Sequence, residues 1–358
     1  MKYADDWVKI QERFKAFWAN DIVDRCCVKV TAPRENTKYK VFDRSDLRKF
    51  WMDPQCVLER HEDFFEKTFF GGEAFPKIWV NLGPGITSAY LGCEVNFSEN
   101  TIWFKPFIND WETDTFEFNS ESEWWITTKE LTRELCAMSK GNFLVSITDL
   151  SGAADIMCHM RGTGELCMDL VEKPDEAKKA RDSIMDVLYR CYDELYNITY
   201  ENCQGSTHWL NLWAPGKHLI LQCDFSTMIS PRMFEEFFLP EIQNHCKFFE
   251  YPIYHLDGPD EIKHLDMLLE IKELKAIQWV PTPGQGDPRM WMPMFKKIQT
   301  AGKSLYFELN PWCGSSYKDI EYVLQELSPK GLFLDTSCET EEEARWLLKN
   351  LGKWSCRT

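Results

Sequence analysis

The chain has 358 residues, 44% of them apolar, and a formal charge of −16. That is a globular composition whose acidic surface repels phosphate backbones, so nucleic acid is excluded as a partner class. No stretch reaches the ~20 apolar residues of a spanning helix, which excludes a membrane role. The opening MKYADDWVKIQERFKAFW has early acids and no apolar signal core, so the expected location is cytoplasmic. The 14 cysteines include no CxxC pair and read mostly as reduced, buried thiols.

Taken in chain order, residues 1–130 look irregular. They hold an amphipathic helix over 7–20, a strand CVKVTAP (27–33), a helix around 45–67, and the strand-like IWVNLGPG (78–85) and TIWFKPF (101–107). Beyond residue 120 the pattern becomes regular. A helix over SEWWITTKELTRELCAMSK precedes the strand NFLVSITDL, and a long helix opens at Pro174. Strands WLNLW (209–213) and HLILQCDF (218–225) follow, then a helix with Ser230 as N-cap and Pro231 as first residue. Strands PIYHLD, AIQWV, SLYFEL and GLFLD then alternate with amphipathic helices, two of which close at Gly302 and Gly352.

Short, continuously apolar strands between helices indicate a parallel sheet buried on both faces. The number of repeats and the length favour one (β/α)8 TIM barrel over residues 1–358, with residues 1–130 as an N-terminal elaboration plus the first strands. Neither GxGxxG nor GxxxxGK[ST] is present, which removes the strongest reason for a nucleotide-binding open sheet.

Chemistry in such barrels sits at the C-terminal strand ends. Those ends carry Asn81, Asp149, Trp213, Asp224, His255, Asp257, Gln278, Trp279, Glu308, Asn310, Asp335 and Cys338. In YPIYHLDGPD, His255 and Asp257 lie two apart, so they share a strand face, and Gly258-Pro259 turn the chain. His255, Asp257 and Cys338 are the nitrogen, oxygen and sulfur donors a divalent ion such as zinc accepts, and three protein ligands leave a position for substrate. The same residues have an ordinary reading: a strand-end His bonds a carbonyl, an Asp before Gly makes a turn, a Cys packs. Asp224 and Glu308 are the expected proton carriers. Asn81, Trp213, Gln278 and Trp279 are expected to line the substrate site, although the Trp side chains also suit simple filling of the barrel mouth.

Three segments carry a resemblance. LSGAADIMCHMRGTGELCMDLVEKPDEA, MISPRMFEEFFLPEI and the pair YHLDG with FLDTSCETEEEARWLL resemble the uroporphyrinogen decarboxylase superfamily, best over residues 140–350. The motif pattern is most similar to its zinc-dependent corrinoid (cobalamin) methyltransferase branch. That resemblance implies a TIM barrel and a Zn2+ site, with His255 at the zinc histidine, Cys338 at the later zinc cysteine and Asp257 in place of the first cysteine. An oxygen ligand there makes a bound ion a stronger Lewis acid.

The implied activity is transfer of a methyl group between a small O-, N- or S-methylated compound and a corrinoid protein. The alternative is a carboxy-lyase of uroporphyrinogen decarboxylase type, working without metal. Against it, Asn81 stands where that branch has a carboxylate, no Tyr lies between Gly152 and Gly164, and the acidic chain lacks the cations a many-carboxylate substrate needs.

Overall fold

A computed structural model describes residues 1–4 and 6–355 of the chain. Its strands, in order, are β1 (Cys27–Pro33), β2 (Thr68–Gly72), β3 (Lys77–Trp79), β4 (Glu94–Phe97), β5 (Ile102–Lys105), β6 (Leu144–Ser146), β7 (Ser206–Thr207), β8 (Trp213–Ala214), β9 (His218–Leu221), β10 (Tyr251–Asp257), β11 (Ala276–Val280), β12 (Ser304–Leu309) and β13 (Leu332–Ser337). Strands β1, β13, β12, β11, β10 and β9 pair in parallel in that order, and β2 adds antiparallel to the free side of β1. Strands β3 and β6 form a separate parallel pair. The architecture is therefore mixed α/β, built on a parallel sheet with helices between successive strands.

Side-chain alternation sorts each strand into two faces. Leu305, Phe307 and Leu309 of β12, and Leu332 and Leu334 of β13, join the large apolar layer that packs on the helices. So do Ile277 and Trp279 of β11, and Tyr254 and Leu256 of β10. The opposite face contributes Ile253, Ala276, Tyr306 and Phe333 to a second cluster at the N-terminal ends of the strands.

The first helix, Trp7–Trp18, closes that end. Asp6 caps it by accepting the Lys9 N–H at 3.2 Å. Its buried face stacks Phe14 on Phe333 at 5.9 Å, and the Trp18 indole N–H donates to the Trp213 carbonyl at 2.9 Å. Glu73 anchors the adjoining chain: fully buried, it accepts from Arg25 at 2.7 and 2.9 Å, from Arg13 at 3.0 Å and from the Val28 N–H at 2.6 Å.

Several expected elements are shorter or broken. The helix around 45–67 is two, Leu47–Met52 and Pro54–Lys67, because Asp53 caps the second and Pro54 opens it. The helix after Ser230 breaks at Phe238, where Pro240 opens a new one, Leu239–Phe248. WLNLW is not a strand: residues 208–212 are a loop, and only Trp213–Ala214 pairs, with β7. Asp224 opens a short 3-10 turn, Asp224–Met228, beyond the end of β9.

Candidate active site

The face opposite the helices carries the chemistry. Beyond the N-terminal cluster it presents Lys29 and Thr31 on β1, His255 and Asp257 on β10, Gln278 on β11, Glu308 on β12 and Asp335 on β13. The register sets Glu308 beside Asp335 and Asp335 beside Lys29, and pairs His255 with Gln278. A cavity of about 580 Å3 opens here, lined by Lys29, Lys77, Trp79, Trp209, Glu308 and Asp335 among others.

One ion pair and a set of carbonyl contacts occupy this cavity. Lys29 Nζ meets Asp335 at 2.6 Å, and the buried Tyr306 hydroxyl donates to the other Asp335 oxygen at 2.6 Å. Lys77 Nζ donates to the carbonyls of His208, Trp209 (2.8 Å) and Leu210, which pins the 208–212 loop inside the cavity. Burial, and then Lys29, push the Lys77 pKa down to about 7. Burial, and then Asp335, raise that of Glu308, which accepts from the Trp312 indole at 3.0 Å and Asn310 at 3.3 Å.

Next to the cavity stands a donor cluster. Asp224, His255 and Asp257 each offer a ligand atom, all within 4.8 Å of one another. Among the described residues no other such trio of His, Cys, Asp and Glu forms. Two ligand atoms on one tetrahedral zinc lie about 3.4 Å apart, since each bond is about 2.0–2.2 Å. Asp224 and Asp257 are exposed, so their torsions are free to close that gap, and an imidazole with two carboxylates suits zinc or a similar divalent ion.

The His255 Nδ1 is hydrogen-bonded to the Gln278 side-chain oxygen, so Nδ1 is the donor and Nε2 is the nitrogen left for a ligand. Trp209 packs edge-on against the same imidazole at 5.1 Å and connects the cluster to the cavity it lines. Gly258, at φ +84°, makes the turn after Asp257, a conformation costly for other residues.

Buried acids back the cluster. Asp155 accepts the backbone N–H groups of Asp224 (3.2 Å) and Phe225 (2.9 Å), fixing the turn that presents Asp224. Glu261 accepts the Asp257 N–H at 3.1 Å. Burial, reinforced by Asp224, lifts Glu261 to about 9. Burial lifts Asp149 to about 6 against the Ser151 N–H, which donates to it at 2.8 Å.

The structure sets several of the expected site residues apart from this cluster. Cys338 does not join the donor cluster. It follows the even-numbered, helix-facing side of β13, packs in the apolar layer, and burial raises its thiol to about 12. Asp224 stands beside His255 and Asp257 instead. Trp279 is one residue from Gln278 and so faces the helices, where it packs on Trp291 at 4.7 Å. Trp213 lies in the N-terminal cluster, its indole N–H bonded to the Cys203 carbonyl at 2.9 Å. Asn81 accepts the Gly83 N–H at 3.1 Å and lines a smaller cavity of about 150 Å3 beside Arg60 and Trp79. Gln278 orients His255.

The cavity residues Lys29, Lys77, Trp209 and Tyr306 were not expected from the sequence. A usable signal existed for two of them: a lysine alternating with valines in CVKV, and another opening the apolar KIWV, are charges on a strand's inner face.

No family model matches the chain, and no curated protein matches it. Among solved structures it is similar to a methyltransferase from Methanosarcina mazei, with a TM-score of 0.62 at 11% identity, over 96% of this chain and 98% of that one. At that identity the likeness is one of fold, and it extends over nearly the whole of both chains. No helix among the described residues is long and apolar enough to cross a membrane.

Proposed function

We propose that the protein is a metal-dependent methyltransferase, moving a methyl group between a small O-, N- or S-methylated compound and a corrinoid carried by a partner protein. The observation that carries this reading is the convergence of Asp224, His255 and Asp257, with Trp209 of the cavity wall packed against the His255 ring. The whole-chain likeness to a protein named a methyltransferase supports it. We further propose that the main sheet and the β3–β6 pair close into the expected (β/α)8 barrel around that cavity.

Asp224, His255 and Asp257 would hold the ion, Zn2+ being the expected one, and the ion would supply Lewis-acid polarisation of the methyl-bearing heteroatom. Gln278 keeps the His255 ring in the tautomer and orientation that ligation requires. A corrinoid on the partner would be the methyl acceptor, and the carbon–heteroatom bond would break with its electron pair left on the heteroatom. Glu308, on the same inner face, would be the group that supplies a proton to the released heteroatom.

The carboxy-lyase alternative is weakened by the cavity's inventory of cations. Arg60 is the arginine that lines it, Lys29 is neutralised by Asp335, and Lys77 is spent on three carbonyls. A substrate with many carboxylates needs several free cations. Elemental analysis of protein purified without a histidine tag tests the metal. The reading predicts close to one equivalent after zinc supplementation, lost in D257N; less than about a tenth of an equivalent would end it.

A further inference from the structure

Arg60 lies in the helix Pro54–Lys67 and lines both the 580 Å3 cavity and the 150 Å3 cavity behind it. Its guanidinium lies 3.7 Å from the Phe50 ring centroid, with one NH2 bond to the Phe50 carbonyl (2.6 Å) and a longer Nε bond to Cys56 (3.4 Å). Among the described residues its NH1 group makes no hydrogen bond and no carboxylate pairs with it. Trp79 shares both cavity walls with Arg60, and its indole N–H is buried without an acceptor.

Half-buried cations and buried N–H donors are costly to leave unpaired. Elsewhere in the cavity such groups are satisfied: Lys29 by Asp335, Lys77 by the 208–210 carbonyls, Tyr306 by Asp335. Two donors without acceptors, on residues that line the same two cavities, mark where a ligand's acceptors belong.

We propose that Arg60 and the Trp79 indole form an oxyanion-binding subsite, so that the substrate is an acid with an apolar or aromatic body and a single anionic head. The head sits on Arg60 and Trp79, and the body lies along Phe64, Phe70 and Trp209. The transferable group then reaches toward His255, which Trp209 touches. The placement of that reacting end rests on the methyl-transfer reading; the anion subsite does not.

The test measures binding to full-length protein in EDTA by calorimetry, so that it is independent of metal and of methyl transfer. The probes are 3-phenylpropanoate, its sulfonate counterpart, the neutral 3-phenylpropanamide and 3-phenylpropylammonium. The expected order is acid over amide by about 10-fold or more, with the cation weakest. R60Q should remove that preference without weakening the amide, R60K should restore part of it, and W79F should cost the acid about 3-fold while sparing the amide. A sulfonate preferred to the carboxylate would fix the head group and still support the subsite. Equal binding of acid and amide would overturn it, as would equal weakening of both by W79F. Should R60Q not fold, R60K and W79F decide the question by the same comparison of acid with amide. Metal failing to bind would sink the methyl-transfer reading and leave this result standing.

Discussion

The Nδ1 of His255 is hydrogen-bonded to the side-chain oxygen of Gln278, its register partner on the adjacent parallel strand. Both side chains point away from the helices, and Gln278 is buried, so the imidazole has one tautomer and little rotational freedom. Replacing Gln278 by Leu removes the acceptor and leaves the ring in place but unoriented. Q278L is expected to lower zinc affinity by about 10–100-fold, while Q278E, which keeps an acceptor, retains most of it. Competition against a chromophoric chelator measures both. Unchanged affinity in Q278L would mean that His255 does not ligate through the opposite nitrogen.

A second pair of variants separates Asp224 from Cys338 as the third ligand. Asp224 lies within 4.8 Å of both other donors, whereas Cys338 lies in the helix-facing apolar layer. D224N is expected to weaken zinc binding by at least about 10-fold, and C338A to leave the stoichiometry and affinity unchanged. The reverse outcome, with C338A losing zinc and D224N keeping it, would restore the thiolate.

The alternation of the later strands with helices, and the shared face of His255 and Asp257, were legible in the sequence because both patterns are local. His255 with Asp257, and Glu308, are two-residue-period positions, and they fall on the inner face. The same parity, followed from Asp335, puts Cys338 on the outer face, and from Gln278 it puts Trp279 there. A position at a strand's end does not by itself say which face a side chain takes. Asp224 reaches the cluster through a turn held by Asp155, about seventy residues earlier in the chain, a contact that no local pattern announces. WLNLW alternates as a strand does, yet its backbone is held by Lys77, more than a hundred residues away. Non-local hydrogen bonds of this kind decide loops, and periodicity carries no trace of them.

Glu73 is the acceptor on which two arginines converge, and all three residues are buried. E73A removes the counter-charge from Arg25 and from one branch of Arg13, and strips the Val28 N–H of its acceptor. Breaking a buried ion pair by deleting one partner typically costs about 3–5 kcal/mol. E73A should lose that much in urea unfolding, if it folds, and E73Q somewhat less. Replacing the exposed Glu94, which pairs with Lys105 on the surface at 3.2 Å, is the control and should change stability by less than about 0.5 kcal/mol.

His218 gives stability a pH dependence of known sign. It is fully buried, its Nδ1 donates to the Tyr251 carbonyl at 2.7 Å, and burial pushes its pKa from 6.5 down to about 4. Between those two values the unfolded chain binds a proton that the folded chain does not. The contribution is therefore present above pH 6.5 and is lost as pH falls toward 4. H218N keeps a donor near Nδ1 and cannot titrate. Across this window the wild type should lose about 1.4 kcal/mol per pH unit more than H218N, read from urea midpoints at fixed ionic strength. Parallel pH profiles would show that His218 does not titrate on unfolding.

Lys77 holds the floor of the cavity. Its ammonium group donates to three successive carbonyls, those of His208, Trp209 and Leu210, and this keeps Trp209 against the His255 ring. Burial pushes its pKa to about 7, while three carbonyl acceptors favour the protonated form, so at neutral pH the loop is held by a charge that is itself close to titrating. K77M preserves much of the volume and none of the donors. Carbonyls left without partners cost about 1–3 kcal/mol each unless water reaches them, so a total loss of about 2–4 kcal/mol is expected. Amide exchange should accelerate over residues 208–212 in K77M while β10 to β13 remain protected, because the parallel ladder does not depend on this loop. Exchange rising uniformly through the sheet would instead make Lys77 a determinant of global stability and leave the positioning of Trp209 to packing alone.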